Sequence, residues 1–183
     1  KYTNFEIILF FLFFSFLLRC RQFFIESSSY HFSKINSPLL ALIYSAVFLP
    51  SGIYFISRFL PLTQENYNFL NTIILLGIIF LIIFTYLIFT SKNLKSLIVY
   101  LASSQFSIII ILIGLKVYNG ALFYLLTSTL SLTMLFLCFG IIILKLNNEL
   151  KINKMGSLLI KIPSTFIFTI IGSLSLIGVP FFS

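Results

Sequence analysis

Five long stretches of the chain contain no charged residue: Ile35–Ser57, Asn66–Ser91, Ser96–Leu115, Val117–Leu144 and Ile162–Ser183. A sixth, Ile7–Leu18, is shorter and runs into Arg19. A helix needs roughly 20 apolar residues to cross the hydrocarbon core of a bilayer. Each long stretch meets that length, and the connectors between them are short. The apolar runs are continuous rather than alternating, which argues against a transmembrane barrel. Lipid offers the backbone no hydrogen-bond partners, so such runs predict helices. The pattern therefore predicts an all-α fold, a polytopic transmembrane helix bundle of about six spans, as a single domain over residues 1–183.

Polar positions inside the spans refine this. Arg19, Cys20, Arg21 and Gln22 interrupt the first span, Phe5–Ile25. Pro38 opens the second, where proline suits a first helical turn. Pro50-Ser51-Gly52 lies deep in the same span. A proline there removes a backbone hydrogen bond and bends the helix, so broken or kinked helices are expected. The third span, near Asn68–Ser91, is almost featureless and reads as lipid-facing, with Asn71 and Thr85 as minor exceptions. The fourth carries Tyr100, Ser103, Ser104, Gln105 and Ser107. Gln105 is the strongest polar group there, and its plainest use is a hydrogen bond between helices. The fifth run, Asn119–Leu144, is too long for one perpendicular crossing and is expected to tilt or break. Its centre holds Thr127, Ser128, Thr129, Ser131 and Thr133. Such hydroxyls commonly bond back to carbonyls of their own helix; lining a water or ion path is the sharper alternative. Tyr124, Ser128 and Ser131 share one face at helical spacing. The longest polar connector, Asn147–Lys161, has a turn expected at Met155-Gly156, and the last span runs from about Pro163 to Pro180.

Composition agrees. The chain is 60% hydrophobic with a mean hydropathy of +1.13, more apolar than a soluble domain of this size allows. No cleavage-type small residues follow the first apolar stretch, so it does not read as a secretory signal. The net charge of +8 does not point to nucleic acid, because the basic residues sit at span ends. Assigned to alternate sides, Arg19, Arg21, Lys34, Lys92, Lys95, Lys145, Lys151, Lys154 and Lys161 fall on one side and Lys1, Arg58 and Lys116 on the other. The positive-inside rule makes the first side the cytoplasm or an organellar matrix. With no Trp in the chain, Tyr2, Tyr54, Tyr67 and Tyr118 are the expected interfacial anchors. Cys20 and Cys138 read as buried apolar side chains, and His31 as a surface residue. No metal site has the required number and spacing of ligands. No nucleotide loop, iron–sulfur spacing or haem ligand pair is present, so no cofactor and no catalytic group is expected in this chain. The abundance of Ile, Lys, Asn and Phe suggests an A/T-rich, organellar genome. The chain starts at Lys1 and stops straight after an apolar run, which reads as a fragment, a processed chain or a piece of a larger assembly.

The run SPLLALIYSAVFLPSGIYFISRF (Ser37–Phe59) resembles the antiporter-like subunits of respiratory complex I, above all NADH dehydrogenase subunit 5. Pro38, Ala41, Leu42, Gly52, Tyr54, Arg58 and Phe59 fall in step with it. LKSLIVYLASSQ (Leu94–Gln105) matches the family at Lys95, Tyr100, Ser104 and Gln105. ALFYLLTSTLSLTMLFLCFG (Ala121–Gly140) is similar to the long helix that follows, and NKMGSL (Asn153–Leu158) and IGSLSLIGVPF (Ile171–Phe181) resemble the next stretches of subunit 5. The resemblance covers Arg19 to Phe181 but only the central part of the family's longer subunit.

The resemblance implies a partial antiporter-like domain in the membrane arm of proton-pumping NADH:ubiquinone oxidoreductase, multi-pass in the mitochondrial inner membrane. It implies a non-redox subunit of that enzyme, with lipid and other membrane-arm subunits as partners, and a separate chain supplying the missing part as a further one. The family's proton channel uses buried lysines and histidines. Here Arg19, beside Gln22, stands where the family has its first channel lysine, and Arg does not exchange protons readily. The family's histidines fall on Tyr44 and Ser128, and its central lysine on Leu132. The proton-path candidates are Arg19, Gln22, Tyr44, Lys95, Gln105, Tyr124, Thr127 and Ser128. The alternative is a degenerate or structural membrane subunit of a respiratory complex without its own channel.

Overall fold

In a computed structural model the chain is helical wherever its longer segments are described; these descriptions cover Ile8, Phe10, Phe11, 13–15, Ser51, Tyr54, 67–146, 149–156 and 158–179. The principal helices are α1 (Tyr67–Thr90), α2 (Leu94–Gly114), α3 (Tyr118–Lys145), the short α4 (Leu158–Lys161) and α5 (Pro163–Ile177), with a 3-10 turn at Ile152–Lys154. Three of them, α1 from Phe69 onward, α2 and α3, are long and apolar enough to cross a membrane. These are the third, fourth and fifth of the expected spans. The first two expected spans, with the Pro50-Ser51-Gly52 break, lie outside the described residues apart from isolated positions.

The fifth apolar run forms one unbroken helix of 28 residues, about 42 Å long at the usual rise, so of the two expected outcomes it does not break and its length calls for tilt. Proline and glycine pairs are absent from its centre, so nothing interrupts its ladder. The last helix is shorter than the apolar run suggests. It closes at Gly178, whose φ of 81° is left-handed and whose N–H donates to the carbonyls of Leu174 and Ser175. That leaves 15 residues, about 22 Å, less than a full crossing.

Helix α1 turns most of its surface outward, as expected of a lipid-facing span, and it also has a core face. It buries Phe69, Leu70, Ile73, Phe80 and Phe84 and exposes Leu75, Ile78, Ile79, Ile82 and Ile83. Both faces are apolar, so hydropathy alone does not separate them. What separates them is shape. A Cβ at Gly77 would lie 2.7 Å from Ile111 Cγ1 and 3.3 Å from the Ser107 carbonyl oxygen, and one at Gly114 would lie 2.5 Å from Ile74 Cγ1. Glycine at these two points lets antiparallel α1 and α2 approach closely. In lipid, where tails are as apolar as leucine, close packing of this kind drives association. Helix α5 meets α3 similarly, with the missing Gly172 Cβ position 3.0 Å from Leu135 Cδ2. The core thus joins α1, α2 and α3 around Ile109, Ile110, Ile113 and Leu132, and Phe13 packs edge-on against Phe69 at 6.2 Å.

The connectors are tied as well. The α1–α2 loop pairs with the segment after α3 through an antiparallel bridge between Asn93 and Lys151. Leu94 N–H donates to the Leu150 carbonyl at 3.0 Å and Ile152 N–H to the Lys92 carbonyl at 3.1 Å. Leu94, Ile142 and Ile143 form a small second core beneath this clip. The clip puts Lys92, Lys95, Lys145 and Lys151 at one end of the bundle, the arrangement expected from charge bias. At the opposite end the α2–α3 turn passes through Lys116, whose φ is 62°. Its N–H donates to the Ile113 carbonyl at 3.0 Å and that of Val117 to the Leu112 carbonyl at 3.1 Å. A left-handed lysine carries a steric cost that glycine avoids. Lys116→Gly is expected to stabilise the chain by up to about 1 kcal/mol, read as a higher midpoint in SDS titration of the protein in mixed micelles.

Candidate functional site

Polar residues of α2 and α3 meet in one hydrogen bond, between Gln105 and Tyr124, which marks the seam between the two helices. On α2, Ser104 and Ser107 are buried and Ser103 and Gln105 half-buried. On α3, Ser128 and Ser131 are buried, and Tyr124 and Thr127 half-buried. On α3 these groups recur at spacings of three and four and share one face, whereas on α2 Ser103 and Ser107 share a face that Gln105 does not.

Most of the hydroxyls are satisfied within their own helices. Ser103 donates to the Val99 carbonyl at 2.9 Å, Ser104 to Leu101 at 2.8 Å and Ser107 to Ser104 at 2.6 Å. On α3, Thr127 donates to the Tyr124 carbonyl at 3.1 Å and Ser128 to Leu125 at 3.1 Å. Ser131 lies 3.0 Å and 3.1 Å from the Thr127 and Ser128 carbonyls. This back-bonding removes the cost of burying a hydroxyl without recruiting a neighbour. Each oxygen keeps acceptor capacity toward the seam. A different contact joins the helices: the Tyr124 hydroxyl donates to Gln105 Oε1. Gln105 is therefore the interhelical hydrogen-bonding residue that its polarity suggests.

Of the proton-path candidates, Gln105 and Tyr124 are in direct contact, Thr127 donates to the Tyr124 carbonyl, and Ser128 lies one turn further along α3. Lys95 stands apart, half-buried in the first turn of α2. It lies ten residues before Gln105, about 15 Å along the helix axis. Arg19, Gln22 and Tyr44 lie outside the described residues. Leu132, at the middle of α3, is 0% exposed and belongs to the main core. Among the described residues, no three His, Cys, Asp or Glu side chains group as metal ligands would.

Tyr118, whose place at a span end suggests an interfacial anchor, opens α3; its ring packs against the main core, and its hydroxyl oxygen is buried with no hydrogen-bond partner among the described residues. The signal was present in the stripe Tyr118, Ala121, Leu125, Ser128, Leu132, which turns the same side of α3 inward. Tyr2 and the side chain of Tyr67 lie outside the described set, and Tyr54 is exposed. Cys138 is a buried free thiol.

Comparison with known proteins places this arrangement. The whole chain, residues 1–183, matches the family described as NADH:quinone oxidoreductase/Mrp antiporter, TM. It is 39% identical over 145 residues to the NADH-ubiquinone oxidoreductase chain 5 of Wickerhamomyces canadensis, covering 79% of this chain and 22% of that protein. The chain 5 proteins of Halichoerus grypus and Hippopotamus amphibius are 35% and 36% identical over 145 and 146 residues. Those matches again cover 79% of this chain and 24% of each relative. The chain thus spans under a quarter of the length of the curated relatives it matches.

Proposed function

The chain belongs to the NADH:quinone oxidoreductase/Mrp antiporter transmembrane family, and from that premise we propose that it serves in the membrane arm of a proton-pumping NADH:quinone oxidoreductase. It acts there as a subunit 5 type component without a redox centre. Its setting is the mitochondrial inner membrane, and its partners are the other membrane-arm subunits, including whatever chain carries the portion its relatives have and this sequence lacks. The family match over all residues carries the assignment. The multi-pass character follows from three helices long and apolar enough to span a bilayer.

The seam between α2 and α3 is the part of this chain that contributes to proton movement. Gln105 and Tyr124 form its cross-link, and Thr127 and Ser128 offer acceptor oxygens beside them. Lys95, on the same helix toward the lysine-rich end, supplies the titrating group. Arg19, Gln22 and Tyr44 complete the set. Intramembrane polar groups are expensive to place, so a row of them marks a path by default. One observation favours a second reading. Leu132 is completely buried in apolar surroundings, and Ser128 is engaged with its own helix, at the places where the resembled family has ionisable groups. A scaffold that has lost its own channel fits those two residues.

Gln105→Leu separates the readings. It removes the acceptor of the Tyr124 hydroxyl and costs about 1 kcal/mol of helix association, too little to prevent assembly. In the intact complex, pumping per electron pair is expected to fall several-fold while native gels show the complex at normal abundance. Unchanged pumping stoichiometry in an assembled complex leaves the scaffold reading standing.

A further inference from the structure

Helix α3 carries two tyrosines, and their hydroxyls fare differently. A serine or threonine can satisfy its hydroxyl on a carbonyl of its own helix, as Thr127 and Ser128 do. A phenol cannot, because its ring carries the oxygen away from its own backbone. Tyr124 instead donates across the seam to Gln105. Tyr118 has no such solution: its hydroxyl oxygen is buried without a hydrogen-bond partner among the described residues, while its ring packs on the main core. Buried polar groups in folded proteins are met by protein or by ordered water. Water is close at this level of the bundle. Leu115, Lys116, Val117 and Asn119 are exposed, and Val117 caps α3 without a side-chain hydrogen bond, so the first N–H groups of the helix are left to solvent. Tyr118 also opens the inward stripe that continues through Ala121, Leu125 and Ser128, all buried. It stands six residues before Tyr124, about 9 Å along the axis, or about three hydrogen-bond lengths. Ala121, between them on that stripe, carries only a methyl group.

We propose that the Tyr118 hydroxyl binds a water and is a positioning residue at the mouth of the α2–α3 seam opposite the lysine-rich end. That water stands between solvent at Lys116 and the Tyr124–Gln105 pair. The inference rests on the reading of the seam as a proton route and deepens it by naming how the route meets one surface. Tyr118 keeps its own proton throughout. It donates one hydrogen bond to the water and so fixes which way the water's lone pairs and protons point. An excess proton arriving on that water leaves as a different proton to the next oxygen, and the water is neutral again. No side chain gains or loses charge in the step.

The test is Tyr118→Phe, which removes the hydroxyl and leaves the ring on the core. In the intact complex, pumping per electron pair is expected to fall several-fold while native gels show normal abundance. The SDS unfolding midpoint of the variant should stay level or fall, because a hydroxyl satisfied by water is lost with its hydrogen bond. Wild-type pumping stoichiometry in Y118F overturns the proposal. So does a raised midpoint, the mark of a hydroxyl that had no partner at all. Comparison with Q105L separates the two levels of inference. Normal pumping in Y118F beside impaired pumping in Q105L sinks the role of Tyr118 alone, and normal pumping in both sinks the proton route with it. Where Y118F does not assemble, radiolytic hydroxyl-radical labelling of the wild-type complex decides. A tyrosine holding a water is expected to be oxidised several times faster than Phe136, buried on the same helix, and equal rates overturn the proposal.

Discussion

Leu132→Lys is expected to open the α2–α3 packing rather than restore a channel. Leu132 lies at the middle of α3, is fully buried and contributes to the core shared by α1, α2 and α3. A lysine at the centre of a spanning helix costs about 2.5–3.5 kcal/mol on insertion scales. Loss of leucine packing adds to that, since Leu132 is 0% exposed and no acidic partner stands beside it among the described residues. Among the described residues, Glu149 is the acid, and it sits beyond the end of α3. Cys138, a buried free thiol on the same helix, gives the readout. In a Cys20→Ser background, a membrane-permeant thiol reagent should label Cys138 about a hundredfold faster in Leu132→Lys than in the parent, since each 1.4 kcal/mol or so is tenfold. Leu132→Met, which conserves volume, should change the rate less than tenfold. Parent-like labelling of Leu132→Lys would show that the protein around it accommodates a charge there, and would revive a channel through this chain.

The second large effect lies at the α1–α2 contact. Gly77→Ala places a Cβ 2.7 Å from Ile111 Cγ1 and 3.3 Å from both Ile110 Cγ2 and the Ser107 carbonyl. The backbone carbonyl cannot rotate away, so the helices must separate. Overpacking of this kind costs about 1–3 kcal/mol, and Gly77→Leu should exceed that range. Ile111→Ala removes the nearest obstructing atom, so the double variant Gly77→Ala/Ile111→Ala should be more stable than the sum of the single changes predicts. Gly156→Ala is the control, because a Cβ there meets nothing within 4 Å. Unfolding midpoints in SDS measure all five variants. Equal effects at Gly77 and Gly156 would mean that the helices do not meet at this crossing.

How much of this was readable beforehand varies by residue. The spans at α1, α2 and α3 follow from charge-free length, because a bilayer enforces helix wherever the chain is apolar for long enough. The lysine-rich end follows from alternate counting of span-end charges. Gln105 stands out because an amide in lipid needs a partner, but its partner Tyr124 does not, since two other hydroxyls share that face. The inward turn of Tyr118 is legible in its stripe with Ala121, Leu125, Ser128 and Leu132, although its place at a span end points to the interface. The buried face of α1 was hidden because isoleucine, leucine and phenylalanine cover the whole helix, so periodicity carries no signal there.

Sequence by itself determined that α1, α2 and α3 are helical and membrane-long, which end of them carries the positive charge, and the family to which the wording of the spans belongs. Those properties are sums over a segment or matches in order, and each survives without knowing what any side chain touches. Tertiary structure alone decided which face of each helix is core, that Gly77 and Gly114 are contact points, that Tyr124 rather than a serine joins α3 to Gln105, and that the α1–α2 loop is clipped to residues 150–152. The physical reason is the solvent. In water, polarity sorts inside from outside and leaves a pattern to read. In lipid both surroundings are apolar, and sorting falls to shape and to a few hydrogen bonds, which exist only once the helices meet.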